Sequence, residues 1–216
     1  FVVFADEVHA IPKEVYEVLY SFLEDFSYQG RAYPPFTLIG ATTDPGKLPS
    51  PFRDRFGIRL SLDFYELPDI ETILTRSLGI LAPSMTADPG AISSLAIRSR
   101  GTPRVANMLL RRTIDVLVVQ AQVRITVELV DVAMEIAGVD RRGLTDIDRR
   151  ILSAVIVRYK GGPVGLNAIA ASIGESAANL ESAYEPWLVR EGFLIRGQRG
   201  REITPKGLIA YAEGGG

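Results

Sequence analysis

Two adjacent carboxylates near the start of the chain are the residues best suited to chemistry. Asp6 and Glu7 directly follow the apolar run 2–5. A buried strand that ends in Asp-Glu delivers both side chains to the sheet edge where open α/β folds bind ligands. There, Asp6 could hold a magnesium ion and Glu7 could orient or deprotonate an attacking water, which suits nucleotide hydrolysis. Taken alone, such a pair is more often a surface feature that merely ends a strand.

The hydrophobic pattern around this pair predicts the elements that would position it. The run 2–5 predicts a short buried strand, and the apolar spacing after Pro12 predicts an amphipathic helix. "FTLIGATT" predicts a second strand that ends in two threonines, and the alternation in "IRLSLDF" at 58–64 predicts a half-buried strand. Strands that alternate with helices indicate an α/β layered domain.

The rest of the chain changes pattern twice. Residues 68–138 are wholly helical in spacing, with Thr102 as the expected cap and Pro103 in the first turn of one helix. From Thr145 onward the pattern predicts helices followed by a two-stranded ribbon that turns near 197–200. Helices followed by a hairpin is the layout of a winged helix-turn-helix.

Composition excludes several kinds of site and compartment. The chain has no cysteine and one histidine, His9, which excludes thiolate zinc sites, cysteine nucleophiles and histidine clusters, and argues against Ser-His-Asp catalysis. No apolar run approaches the roughly 20 residues of a membrane helix, and no cationic segment precedes an apolar one at the start. We therefore expect a cytoplasmic protein with no membrane partner.

Six sequence segments, taken in order, carry a resemblance to a known family. They are "FADEVH", "LEDF", "PPFTLIGATT", "SPFRDRFGI", "SRGTPRVANMLLRR" and "GGPVGLNAIAASIGE". In these segments, the chain resembles the RuvB family of AAA+ ATPases, the motors of Holliday-junction branch migration. The resemblance implies an α/β plus all-α fold with part of an AAA+ P-loop ATPase domain at 1–66, a helical lid at 67–139 and a winged-helix DNA-binding domain at 140–216.

The resemblance also implies an activity in recombination and DNA repair. A family member is an ATP hydrolase and DNA translocase that uses ATP and Mg²⁺ between the subunits of a ring, which we expect to be a hexamer. Asp6 would coordinate Mg²⁺ through water, and Glu7 would activate the hydrolytic water. Thr43 matches the sensor-1 position, with Thr42 as its close rival, although threonines in turns often only hydrogen-bond a strand end.

Arginines take the remaining nucleotide roles that the resemblance implies. Arg55 matches the arginine finger offered to the neighbouring subunit's nucleotide, Arg53 is the alternative, and a salt bridge to Asp54 is the purely structural interpretation of Arg55. Arg104 matches sensor 2, through which the lid responds to nucleotide. An arginine suits these tasks because its guanidinium stays charged and can bond phosphate oxygens bidentately.

Cations cluster on the predicted C-terminal ribbon, where Arg196, Arg199 and Arg201 are the expected DNA-binding residues. Contacts of this kind go to phosphates and give affinity without sequence readout. The segment 176–184 is poor in base-reading side chains, which agrees with sequence-neutral binding of double-stranded DNA or a Holliday junction. Composition alone would fit a simple solvent-exposed hairpin equally well.

Two departures from the family pattern change what we expect of this chain. It has no G-x-x-x-x-G-K-[ST] segment upstream of Asp6, so we expect it to be inactive alone and to be the C-terminal part of a longer ATPase. Between Phe26 and Pro34 only "SYQGRAY" stands where the family has a longer stretch with a hairpin that contacts RuvA, which puts docking to RuvA in doubt. The alternatives are a non-catalytic DNA-binding accessory subunit and a motor that works without RuvA.

Overall fold

The computed structural model describes residues 1–213, and the chain divides into two compact units, Phe1–Leu62 and Asp63–Gly216. The last three residues of the predicted third domain lie outside the described residues. Between residues 1 and 213, no helix has the length and apolar character needed to cross a membrane.

The first unit combines a pair of parallel strands with one long helix. Its elements are β1 Val2–Ala5, α1 Lys13–Asp25, β2 Ser27–Tyr28, β3 Arg31–Ala32, β4 Thr37–Gly40 and α2 Ser50–Arg53, with 3-10 turns at Val8–Ala10 and Pro45–Lys47. β1 and β4 pair in parallel, with Ala5 opposite Gly40, so that both strands end at the same edge. β2 and β3 form a small antiparallel hairpin within "SYQGRAY".

A small aromatic core lies beside the ends of these strands. Val8, Tyr16 and Phe52 are buried, and the rings of Tyr16 and Phe52 meet edge to face with centroids 4.7 Å apart. The Tyr16 hydroxyl donates a hydrogen bond to the Val8 carbonyl, and burial raises the pKa of this hydroxyl. The core thereby ties α1 and α2 to the turn that immediately follows Glu7.

Two sequence predictions for this region are wrong. The strand at 2–5 forms, but it is not buried, because Val2 and Phe4 are each 64% exposed. Residues 58–64 form no strand, and Leu60 and Leu62 are 85% and 94% exposed. A strand needs a hydrogen-bonded partner and a covered face, and no other described segment pairs with 58–64.

The second unit is mostly helical. Its helices are α3 Leu67–Leu81, α4 Pro89–Arg98, α5 Pro103–Val119, α6 Val127–Ile136, α7 Asp146–Ser153, α8 Leu166–Ile173, α9 Ala177–Asn179, α10 Glu185–Arg190 and α11 Pro205–Glu213, with π-helical turns at Ala154–Arg158 and Leu180–Tyr184. Its strands are β5 Thr86–Ala87, β6 Arg124–Ile125, β7 Leu194–Gly197 and β8 Gly200–Ile203. β5 and β6 pair in parallel, and β7 and β8 form the antiparallel ribbon.

Two hydrophobic cores organise this unit. Helices α3 to α6 share the first, to which α3 contributes Ile70, Leu74 and Leu78 at helical spacing. The second lies among α7 to α11 and the ribbon, and includes Trp187 and Phe193. Thr102 is the N-cap residue of α5 and Pro103 is its first residue, as the sequence predicts.

A buried arginine at the end of α4 connects the two cores. Arg98 is 3% exposed, its Nε donates to the Asp140 carbonyl at 3.1 Å, and it forms an ion pair with Asp131. Burial opposes ionisation of Asp131, but the hydrogen bond and charge of Arg98, together with Arg141, outweigh it and lower the pKa of Asp131. Arg98 therefore joins α4 and α6 to the segment that leads into α7.

A second arginine continues this connection two residues later. The Arg100 guanidinium lies over the Trp187 ring, 3.8 Å from its centroid, and its Nε donates to the Gly143 carbonyl at 2.9 Å. It also forms an ion pair with Asp148, whose side chain is fully buried. Arg100 has a positive φ of 61°, which is uncommon for a residue with a side chain. Its contacts hold this conformation in place.

Candidate functional site

The parallel pairing of β1 and β4 brings together residues that lie far apart in sequence. Asp6 and Glu7 follow β1, while Thr42 and Thr43 follow β4. The Glu7 carboxylate accepts hydrogen bonds at Oε2 from the Thr43 backbone N–H at 3.3 Å and from the Thr43 hydroxyl at 3.0 Å. The residues expected to activate water and to sense the γ-phosphate are thus direct neighbours.

The backbone at this pair is unusual. Glu7 has left-handed dihedral angles, φ 48° and ψ 48°, and its N–H donates to Asp6 Oδ1 at 3.0 Å. A non-glycine residue with positive φ carries strain that surrounding contacts must hold, and such residues cluster at functional sites. The conformation turns the Glu7 side chain toward Thr43 and leaves both carboxylates exposed.

The two carboxylates suit a magnesium ion that takes its remaining ligands from water and from the phosphates of a nucleotide. Within the described residues, no group of three or more acidic or histidine side chains could hold a metal by itself. Mg²⁺ commonly takes one or two protein carboxylates and completes its shell with water and substrate phosphates. The exposed Asp6 suits that role, whereas residues 1–213 provide no closed protein cage for a metal.

His9 is a member of the site that sequence reasoning missed. Its Nδ1 lies 2.8 Å from the Thr42 hydroxyl and 3.2 Å from Glu7 Oε2. Thr42 also accepts the Asp44 N–H at 3.0 Å, so its hydroxyl is engaged away from Glu7. The contacts therefore favour Thr43 over Thr42 as the partner of Glu7. The available sequence signal was the position of the single histidine, two residues after Glu7.

The two candidate finger arginines differ in their surroundings. Arg55 donates to the Pro51 carbonyl at 2.7 Å and to Glu24 Oε2 at 2.9 Å, and its guanidinium lies 4.6 Å from the Tyr20 ring centroid. Among the described residues, the side chain of Arg53 makes one hydrogen-bond contact, at 3.4 Å to the Ser50 hydroxyl. The structural interpretation of Arg55 as a partner of Asp54 is wrong, because Asp54 pairs with a different arginine.

The partner of Asp54 is Arg59, whose guanidinium lies 3.0 Å from the Asp54 carboxylate.

Arg104, the expected sensor 2, lies in the first turn of α5 and is exposed. It lines an open cleft with Asn107 and Arg111, and within residues 1–213 the buried Asn107 Oδ1 has no hydrogen-bond partner. A cation at a helix start faces the positive end of the helix dipole, which an anionic ligand would offset.

The ribbon separates the three candidate DNA-binding arginines. Arg199 is exposed in the turn between β7 and β8, and Arg196 is 58% exposed with a 3.1 Å pair to Glu181. Arg201 instead makes two bonds to Glu185, at 2.6 and 2.8 Å, and the two side chains are 12% and 4% exposed. This hydrogen bonding raises the pKa of Arg201. The structure thus corrects the prediction for Arg201, which joins the ribbon to α10 and is not free to meet a phosphate.

Comparisons with known proteins agree along nearly all of the chain. Family models described as the Holliday junction DNA helicase RuvB P-loop domain, the RuvB AAA lid domain and the RuvB C-terminal winged helix domain match residues 1–62, 65–140 and 141–212. The chain is 46% identical over 219 residues to the Holliday junction branch migration complex subunit RuvB of Lacticaseibacillus casei (strain BL23), covering 96% of this chain and 64% of that protein. For the subunit of Latilactobacillus sakei subsp. sakei (strain 23K), the identity is 48% over 218 residues, with 95% and 64% covered.

Solved structures show the same similarity. The structure described as the Thermotoga maritima RuvB Holliday junction branch migration motor superposes with a TM-score of 0.87 at 44% identity, covering 98% of this chain and 69% of that chain. A point mutant of the Thermotoga protein gives a TM-score of 0.89 at 44% identity, with the same coverage. The chain spans 64% of the length of the curated relatives named above.

Proposed function

Because the chain belongs to the RuvB family, we propose that it is part of an ATP-driven motor subunit that moves Holliday junctions. In this proposal the strand ends of the first unit supply catalytic groups, the helical segment 67–139 is the lid, and the winged-helix segment from 140 onward holds duplex DNA. The names of these relatives, which describe branch migration subunits and a motor, support the proposal.

The observation that carries the proposal is the contact between Glu7 and Thr43. Phosphoryl transfer requires neutralised charge and a positioned nucleophile more than covalent help from the protein. Glu7 would accept a proton from the hydrolytic water, and Thr43 would hold the Glu7 carboxylate in place at its observed 3.0 Å contact. A magnesium ion bound through water to Asp6 would supply charge neutralisation at the phosphates.

The arginines have separate roles in the proposed motor. Arg55 is the finger that reaches the nucleotide of the neighbouring subunit in a ring, and Arg104 is the lid residue that responds to nucleotide. Arg199 and Arg196 contact DNA phosphates from the ribbon. The hairpin of β2 and β3 has two-residue strands, so we propose no RuvA contact through it.

The test is Glu7→Gln in the native assembly, with Glu17→Gln as the control. Glu17 is an exposed carboxylate on α1 and makes no ion pair within the described residues. A positioned general base contributes about 10²- to 10⁴-fold to the rate, so we expect at least about a 100-fold loss of ATP turnover with nucleotide binding kept.

Movement of a synthetic four-way junction should stop in the same variant and continue in Glu17→Gln. If Glu7→Gln hydrolyses ATP at the wild-type rate, the catalytic assignment is wrong. If the wild-type assembly binds duplex DNA but never turns over ATP, the accessory-subunit alternative replaces the motor.

A further inference from the structure

The guanidinium group of Arg55 is held from three directions. The Pro51 carbonyl binds NH1 at 2.7 Å, Glu24 binds NH2 at 2.9 Å, and the Tyr20 ring lies against the group with its centroid 4.6 Å away. Tyr20 and Glu24 are four residues apart on α1, which places them side by side on one helix face. We call Tyr20, Glu24 and Pro51 the Arg55 cradle.

The ion pair between Glu24 and Arg55 adds little to folding stability. Glu24 is 66% exposed and Arg55 is 27% exposed. Ion pairs that open to water contribute little, because solvent screens them and both side chains lose rotamer freedom. An arginine side chain has many rotamers, and it must lose this freedom whenever it binds a ligand in one geometry. The cradle removes that freedom in advance.

We propose that Glu24 and Tyr20 are positioning residues that order Arg55 before it meets the nucleotide of the neighbouring subunit. This inference rests on the proposed function, in which Arg55 is the arginine finger. Neither residue touches the nucleotide, and both act through the guanidinium group. The other candidate, Arg53, has no comparable cradle among the described residues, since its side chain makes one 3.4 Å contact.

The cradle leaves the finger able to bind phosphate. A guanidinium has five N–H donors, and Pro51 and Glu24 engage one nitrogen each. At least one N–H on each terminal nitrogen and the Nε–H therefore stay available for a phosphate oxygen. A bidentate contact of that kind is the geometry in which arginine binds phosphate most strongly.

The first test is a double-mutant cycle on ATP turnover in the native assembly. Glu24→Gln keeps the shape of the side chain and removes its charge, Arg55→Ala removes the finger, and Glu17→Gln is the control on the same helix. We expect kcat to fall roughly 2- to 5-fold in Glu24→Gln with KM unchanged, which is the scale of an exposed ion pair. The same change should have no effect in an Arg55→Ala background.

Each result distinguishes the inference from the function on which it rests. If Arg55→Ala lowers turnover to a small but measurable rate while Glu24→Gln leaves kcat unchanged or raises it, the inference is overturned and the finger stands. Additive losses in the double variant also overturn it, since Glu24 would then act independently of Arg55. If Arg55→Ala turns over normally, or the wild-type assembly never does, the proposed function fails and the inference fails with it.

A second measurement needs no activity. The Nε–Hε NMR signal of Arg55 reports whether its guanidinium is held, and we expect a sharp signal in the wild type and in Glu17→Gln but a broadened one in Glu24→Gln. Tyr20→Leu should broaden it as well, whereas Tyr20→Phe, which keeps the ring, should not. An Arg55 signal that is identical in all these variants would overturn the cradle.

Discussion

Replacing Arg201 by methionine tests whether the ribbon arginines are equivalent. Methionine keeps most of the length of the side chain but leaves Glu185, whose side chain is 4% exposed, without its partner. The backbone bonds between Arg201 and Val164, at 2.8 and 3.0 Å, do not depend on the side chain and should remain. The loss should therefore come from the buried carboxylate alone.

The expected cost follows from burial. Removing one member of a buried ion pair costs about 3–5 kcal/mol, because the other charge stays desolvated and unpaired. That is a large part of the roughly 5–15 kcal/mol that stabilises a folded protein. The control is Arg196→Met on the same ribbon, whose pair with Glu181 is 58% and 49% exposed. An exposed pair of this kind should cost less than about 1 kcal/mol.

Urea unfolding followed by tryptophan fluorescence measures the unfolding free energy of both variants with a probe close to the ribbon. Trp187 is the single tryptophan of the chain and belongs to the core beside the ribbon. We expect the midpoint for Arg201→Met to fall well below that for Arg196→Met. The double variant Arg201→Met/Glu185→Leu should recover most of the loss, because it removes the unpaired charge.

Equal costs for Arg201→Met and Arg196→Met would refute this reasoning. The Glu185 carboxylate would then be solvated, and Arg201 would be available to DNA as the sequence suggests. Failure of Glu185→Leu to rescue Arg201→Met would show instead that the arginine contributes through packing.

Two further predictions concern DNA binding and acid stability. Arg199→Ala should weaken duplex DNA binding and reduce the magnitude of the slope of log K against log salt by about 0.9, with urea unfolding unchanged. Fluorescence anisotropy across a salt series measures this slope. An unaltered slope would mean that Arg199 makes no phosphate contact. The lowered pKa of Asp131 stabilises the folded chain above the unfolded-state pKa of about 3.9, and this contribution is lost as pH falls through the folded-state pKa. Asp131→Asn should therefore remove that part of the pH dependence of the unfolding free energy. The exposed control Asp115→Asn should not.

The local sequence pattern was sufficient to predict where β1 and β4 end and where α5 begins. β1 and β4 end in residues whose types already suggest chemistry, and parallel strands that pair must bring those ends together. Thr102 and Pro103 mark the start of α5 because cap and first-turn preferences act within a few residues. The order of helices and ribbon after Thr145 was predictable for the same reason.

The errors arise where a residue's role depends on distant parts of the chain. Alternation at 58–64 shows which side chains would face a covering layer, but it does not show whether that layer is present. Arg199 and Arg201 look alike in sequence, and only the contact with Glu185, 16 residues earlier, makes one of them structural. The contact between Arg55 and Glu24 spans 31 positions and leaves no local pattern.

The contacts of Arg98 and Arg100 have a mechanical consequence for the second unit. Thr102, the cap of α5, comes two residues after Arg100, so the helix that carries Arg104 begins where the winged-helix core is attached through Trp187. Arg98 pairs with Asp131 of α6 and Arg100 pairs with Asp148 of α7, so side-chain contacts join the two cores at this point. A rotation of α5 would therefore carry the ribbon with it as the arm of a single lever, and its stroke would be set by the size of that rotation.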